Sequence, residues 1–170
     1  ESRHVFIDKG LNDWISTNHQ SVIRILEIGL GTGLNILLGA EWAYQRQLEV
    51  EVTSLEAYPI DNEIVSKLNY PELINHELAK SWFSKIHSTP WNVTSEIHEK
   101  LNLTKIDQKL EDTILPNDAF NVVFFDAFAP NKQAELWELE ILQKIHASQT
   151  ENSRFVTYCA KGQLKRDLRS

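Results

Sequence analysis

A single cysteine, Cys159, in 170 residues rules out an intramolecular disulfide framework and fits a reducing compartment. Long hydrophobic runs are missing as well. The apolar stretches last only a few residues, far short of the roughly 20 needed to span a bilayer. No segment with a basic start and an apolar centre opens the chain. These absences predict a cytoplasmic chain without a membrane partner, and nothing in the sequence calls for an obligate protein partner. Positive charge is scarce: 17 Lys and Arg face 24 Asp and Glu, a formal net charge of −7, which argues against a generic nucleic-acid coat. The six histidines are scattered, with no cysteine or carboxylate at metal-ligand spacing, so no metal is expected. The chain opens at Glu1 rather than a methionine, as a piece of a longer protein would.

What is present is enough apolar material, 42% of residues, for the core of one domain. Its most informative stretch is Val22 to Asn35. A β-branched apolar run ends in Gly29, Gly31 and Gly33, and a helical pattern follows at once. A strand, a tight turn and a helix start in that order present backbone N–H groups to a nucleotide-like ligand. The dinucleotide spacing G-x-G-x-x-G would put its third glycine at position 34, where this chain has Leu34. G-x-G-x-G is the spacing associated with S-adenosylmethionine, and Glu27 before the loop and Thr32 within it join the glycines as cofactor-binding candidates.

Around this stretch, Leu11, Trp14 and Ile15 share one face of a short helix, and Val22 to Ile28 is the first strand. Asn35 to Gln47 reads as a helix with Ile36, Leu37, Ala40, Ala43 and Tyr44 as its apolar stripe, and its interior Gly39 predicts close packing on a sheet. Glu49 to Leu55 alternates and forms a second strand. Helical stretches are expected at Asp61 to Leu68 and Leu73 to Ile86, with Trp82, Phe83 and Ile86 in the core. Short strands follow at Ser95 to Glu99 and Leu101 to Ile106. Phe120 to Phe125 is the most hydrophobic strand and belongs in the sheet centre. A helix over Gln133 to His146, a strand over Phe155 to Cys159 and a helix after Gly162 complete the pattern. Such alternation predicts a mainly parallel, doubly wound α/β sheet, with residues 1–20 as an N-terminal segment and 21–170 as the core.

Ligands of such sheets bind beyond the carboxyl ends of the strands. Three acids fall there: Glu56, Asp107 and Asp126. Glu56, 23 residues after Gly33, is placed to accept both hydroxyls of a ribose. Asp107 either helps close the pocket at the adenine edge or caps a helix over Gln108 to Leu115. Asp126 emerges from the central strand ahead of Phe128 and Pro130, a stiff loop with an aromatic wall. A carboxylate there can orient an amine and take its proton; the alternative is a capping role for the core.

Taken together, Ser2-Arg3-His4-Val5-Phe6, Glu27-Ile28-Gly29-Leu30-Gly31-Thr32-Gly33-Leu34-Asn35, Glu56-Ala57-Tyr58-Pro59, Asp126-Ala127-Phe128-Ala129-Pro130-Asn131-Lys132, Glu135-Leu136-Trp137 and Thr157 through Leu168 resemble one family. It is the methyltransferase domain of the tRNA 5-methylaminomethyl-2-thiouridine biosynthesis proteins, including the stand-alone form. The resemblance implies a Rossmann-like class I S-adenosylmethionine-dependent methyltransferase that methylates the primary amine of 5-aminomethyl-2-thiouridine at the tRNA wobble position. It further implies that Gly29, Gly31, Gly33 and Glu56 bind cofactor and that Asp126 holds the amine. Phe128 and Pro130 would shape the pocket, and Arg3 with Lys161, Lys165 and Arg166 would form a local basic patch for the phosphates. The bifunctional members add a flavin-dependent oxidase domain that has no counterpart here, so no FAD is expected. The chain ends at Ser170, where the family fold would add two strands, and Glu138 replaces an expected threonine after Trp137. Competing readings are a methyl- or aminopropyltransferase for a small free amine, which the acidic balance favours, and a cofactor-binding module without catalysis.

Overall fold

The computed structural model describes residues 1–74, 76–127 and 132–159. Phe128, Pro130, Lys161, Lys165, Arg166 and the helix expected after Gly162 lie outside them.

A helix opens the chain, π-wound over Arg3–Asn12 and continuing as α1, Asp13–Thr17. Then come β1 (Val22–Ile28), α2 (Leu34–Arg46), β2 (Glu49–Glu56), the short α3 (Asn62–Val65) and α4 (Tyr70–Leu73), and α5 (Ala79–Ser88). The second half holds β3 (Thr94–His98), β4 (Leu101–Asp107), β5 (Phe120–Phe125), a 3-10 turn over Ala134–Trp137, α6 (Leu139–Ser148) and β6 (Gln149–Thr157). The six strands form one sheet in the order β3-β4-β2-β1-β5-β6. Every neighbouring pair is parallel except β3 with β4. The expected doubly wound, mainly parallel sheet is therefore what forms. The chain leaves β1 toward β2 on one side and later returns to β5 on the other, so the order reverses at β1, where a crevice opens beyond the strand ends.

Alternating residues of the central strands feed two cores. Ile23 and Ile25 of β1, Val50 and Val52 of β2 and Val122 and Phe124 of β5 pack with Phe6, Leu11 and Trp14, with Ile36, Leu37 and Ala40, and with Trp82 and Ile86. Leu26, Ile28, Leu55, Val123 and Phe125 face the other way, onto Leu110, Leu136, Ile141 and Ile145. All six residues of β5 are buried, as a strand covered on both faces requires. Helix α2 is buried well beyond its predicted stripe, including Leu38, Glu41 and Trp42, because the N-terminal helix lies over it.

Several expectations are corrected. The helix predicted from Leu73 to Ile86 is broken. Ile74 turns extended and buries its side chain, and His76 accepts the Leu78 amide at 3.2 Å while stacking on Trp82 at 4.5 Å. The helix predicted over Gln133 to His146 breaks at Glu138, which is extended, and Leu139 lies exposed. Gln108 to Leu115 forms turns rather than a helix, and β6 starts at Gln149, six residues earlier than expected. Gly39 is buried, yet a methyl group there would meet nothing within 4 Å beyond its own helix, so close packing does not explain it.

Two stability outcomes follow from this packing. Gly39→Ala should stabilise the chain by about 0.5–1 kcal/mol, since it raises helix propensity without a clash. Phe124→Ala should cost about 3–5 kcal/mol through the cavity it leaves. Denaturant midpoints measure both, and a destabilised Gly39→Ala would show that the space around α2 is misjudged.

Candidate functional site

The site grows from the turn after β1. Gly29, Gly31 and Gly33 all have positive φ, at 91°, 50° and 74°. At Gly29 the requirement is doubled, because a Cβ there would lie 2.9 Å from the Asp126 carbonyl oxygen. The Gly29 amide donates to the Leu55 carbonyl at 2.9 Å, and the Asp126 amide donates to the Ile28 carbonyl at 3.0 Å. The ends of β2, β1 and β5 are thus tied together just where the loop leaves the sheet. A Cβ at Gly33 would come within 3.0 Å of the His87 ring, which sits beneath the loop and contacts the Thr32 carbonyl at 3.2 Å. Buried Lys105 completes this strut. Its ammonium donates to the His87 carbonyl at 3.0 Å and lies 4.8 Å over the Trp91 ring. Burial lowers the proton affinity of both His87 and Lys105.

Above the loop opens a cavity of about 610 Å³, within the range of small-molecule sites. Its walls are Ile28 to Thr32 with Leu34 and Asn35, Leu55 to Tyr58 with Ile60, Tyr70, Gln108 to Glu111, Asp126 and Ala127, Gln133, Glu135 and Leu136, and Ser2. Among the described residues it presents the carboxyls of Glu56, Glu111, Asp126 and Glu135 against the one ammonium of Lys109. Such a cavity favours cationic ligands.

Of the predicted residues, Gly29, Gly31, Thr32, Glu56 and Asp126 line this cavity together. One Glu56 oxygen accepts the Gly31 amide and the other the Tyr58 amide, each at 2.8 Å. A carboxylate has about four acceptor positions, so both oxygens keep capacity for a diol. Asp126 accepts a hydrogen bond from the Asn35 side-chain amide at 2.8 Å. Burial raises the pKa of Asp126, and the Asn35 bond opposes that rise.

Four predicted residues stand elsewhere, Gly33 among them as the cap of α2. Glu27 is fully buried behind the loop rather than on the cavity wall, bonded to the Ser54 hydroxyl. Asp107 is paired in register with Glu56 at the end of β4, but its side chain is exposed and it is the following turn, Gln108 to Glu111, that reaches the cavity. Arg3 binds Glu41 of α2 at 2.6 Å, which ties the N-terminal helix to the fold, and its half-exposed side chain stands off the cavity wall. Sequence reading missed Asn35, Glu111, Glu135 and the His87–Lys105 strut. Asn35 alone carried a signal, as an asparagine two residues after the last loop glycine.

Comparison with known proteins agrees with this geometry. A family model described as S-adenosyl-L-methionine-dependent methyltransferase matches residues 71–170. The chain belongs to that family. It is 30% identical, over 99% of its length, to the tRNA 5-methylaminomethyl-2-thiouridine biosynthesis bifunctional protein MnmC of Leptospira borgpetersenii serovar Hardjo-bovis, and covers 27% of that protein. The protein of the same name from Leptospira interrogans is 31% identical over 85% of this chain and 24% of its own length. The crystal structure of MNMC2 from Aquifex aeolicus superposes with a TM-score of 0.75 at 25% identity, over 98% of this chain and 52% of that one. This chain thus spans about a quarter of the curated relatives and half of the solved one. The predicted family resemblance and the Rossmann-like class I methyltransferase fold are both shown.

Glu27 supplies a test of the buried charge. Burial pushes its pKa up to about 8 from an ordinary 4.5, and the negative fields of Asp126 and Glu56 add to this while the Ser54 hydroxyl bond and the nearby Asn35 amide oppose it. Between those two values the folded chain keeps a proton that the unfolded chain has shed. Stability is therefore lost as pH rises through that window, by up to about 1.4 kcal/mol per unit. Glu27→Gln removes the linkage, so its melting temperature should gain on that of the native chain as pH rises from 5 to 8. A gap that stays constant across this range would show Glu27 to be ionised throughout.

Proposed function

We propose that this chain transfers a methyl group from S-adenosylmethionine to the primary amine of 5-aminomethyl-2-thiouridine at the wobble position of tRNA. The observation that carries the reading is the Asp126 carboxylate, which lines the same cavity as the glycine loop and Glu56 in a member of a methyltransferase family. The MnmC name of the relatives that match nearly the whole chain supplies the acceptor.

The residues present fit the cofactor. The loop leaves open space at Gly31, where a Cβ would meet nothing within 4 Å, Glu56 keeps free acceptor positions for ribose hydroxyls, and the acidic lining suits a cationic ligand. When bound, S-adenosylmethionine supplies an electrophilic methyl group on a sulfonium. The chain has to hold the acceptor nitrogen in line and take one proton from it as the new N–C bond forms. Holding two reactants in place is worth roughly 7–11 kcal/mol. An alkyl amine with a pKa near ~10 needs about 4 kcal/mol to be neutral at pH 7. A carboxylate opposes that change by favouring the ammonium ion. Asp126 therefore orients the amine and receives its proton, and removal of water from the cavity does the neutralising. Thr32 and Glu27 serve the cofactor side in this reading, Thr32 from the wall and Glu27 from behind the loop. Asp107 contributes through the turn that follows it.

The reading makes the acceptor tRNA a partner bound at its anticodon region. Phe128 and Pro130 are proposed to shape the acceptor pocket, and Lys161, Lys165 and Arg166 to meet phosphates. Incubation with labelled S-adenosylmethionine and tRNA bearing the aminomethyl uridine should place label on that nucleoside. Asp126→Asn should lower the rate by roughly 10²–10⁴-fold while cofactor binding persists. tRNA affinity should also fall steeply with salt. Label appearing on a small free amine, with no salt dependence, would instead support the small-amine reading that the acidic lining favours. Cofactor binding with no label on any amine would leave a binding module.

A further inference from the structure

Resting on the proposed acceptor site, we infer that Asn35 is a positioning residue for the methyl acceptor, aiming the Asp126 carboxylate into the cavity from the helix that begins at the glycine loop. Asn35 is the second residue of α2, 3% exposed, and its amide meets Asp126 at 2.8 Å across 91 residues of sequence. Asparagine is a poor helix former whose ordinary use at a helix start is as a cap. That use is absent here, because the cap is Gly33 and no side chain caps the helix. The buried amide is spent on Asp126 instead.

The surroundings of Asp126 explain why it needs that amide. Glu27 faces it from β1, and Tyr158 faces it from beyond β6, with its phenol bonded to Ser2 and Glu1 nearby. Glu56, at the end of β2, adds its charge through Glu27. Among the described residues Asp126 forms no ion pair. Burial pushes the Asp126 carboxyl toward its neutral form, and a hydrogen-bond donor opposes that push. The Asn35 amide is that donor, and it comes from the element that carries the cofactor loop. Loop and acceptor acid are thereby held in one geometry, since the same helix start positions both.

Asn35→Ala and the near-isosteric Asn35→Asp test this in the full chain, with the tRNA bearing aminomethyl uridine as acceptor. Both should bind S-adenosylmethionine within about threefold of the native chain. Without the donor, Asp126 holds its proton to higher pH. The acid limb of kcat/KM should therefore move upward, with a loss of roughly ten- to hundredfold at pH 6 that shrinks by pH 9. The Asp126 carboxyl, followed by carbon NMR, should titrate at higher pH in both variants, and this readout needs no turnover. Cofactor affinity, measured for both variants, separates this effect from a simple folding defect. A native chain that binds cofactor but never labels this tRNA overturns the acceptor reading and the role of Asn35 with it. An active native chain whose variants keep the pH profile and the Asp126 titration unchanged overturns this inference alone. So does an equal loss at every pH accompanied by lost cofactor affinity.

Discussion

The fold turns on one close approach, the Gly29 backbone against the Asp126 backbone at the centre of the sheet. Two amides fix it, from Gly29 to Leu55 and from Asp126 to Ile28, so the ends of three parallel strands form one rigid rim. No other residue type fits at Gly29, where positive φ and a 2.9 Å contact coincide. The glycine loop must then rise away from the sheet, and Glu56 and Asp126 are left on either side of it. The cavity is the space that this rim encloses. Its position at the reversal of strand order is a consequence of topology, and its acids are a consequence of which residues end β2 and β5.

That rim concentrates negative charge in a partly dry place, and the chain handles each acid differently. Glu27 is fully buried, and burial pushes its pKa up to about 8. Glu56 stays at the surface of the cavity, with two backbone amides on its oxygens. Asp126 has one side-chain amide, from Asn35. Backbone amides cannot be lost by substitution, so the Glu56 arrangement is robust, whereas that of Asp126 depends on a single side chain. The His87–Lys105 strut on the opposite side of the loop adds no competing cation to the cavity wall, since the Lys105 ammonium is directed to a carbonyl and a ring.

The strands were legible because their signals are local. β1 and β5 occupy the predicted spans, and β2 is one residue longer, since β-branched runs and alternation are properties of consecutive residues. The glycine loop, Glu56 and Asp126 were legible for a related reason, as each sits at a strand end in chain order. The misses share a different cause. Helix breaks at Ile74 and Glu138 depend on what the side chains meet in the folded chain: a core site for Ile74, and Trp82 for the neighbouring His76. The Arg3–Glu41 pair likewise depends on the N-terminal helix lying against α2. Asn35 and Asp126 are far apart in sequence, and no periodic pattern links them. Family resemblance carried the acceptor chemistry, which no spacing in the chain encodes.

On the proposed function an acidic chain acts on an anionic polymer, and recognition is then separate from chemistry. With a net charge of −7 and four carboxyls against one ammonium on the described cavity wall, phosphates gain nothing by approaching this opening. The aminomethyl group is the cationic part of the proposed acceptor, and it alone among the substituents of a nucleotide is attracted there. Charge would thus select which atom enters, while affinity for the polymer has to come from lysines and arginines away from the cavity. The same attraction keeps an entering amine protonated, so a tighter hold on the ammonium ion works against methyl transfer. In the proposed reaction, a half-buried Asp126 held by the neutral Asn35 amide rather than by a cation balances those two demands.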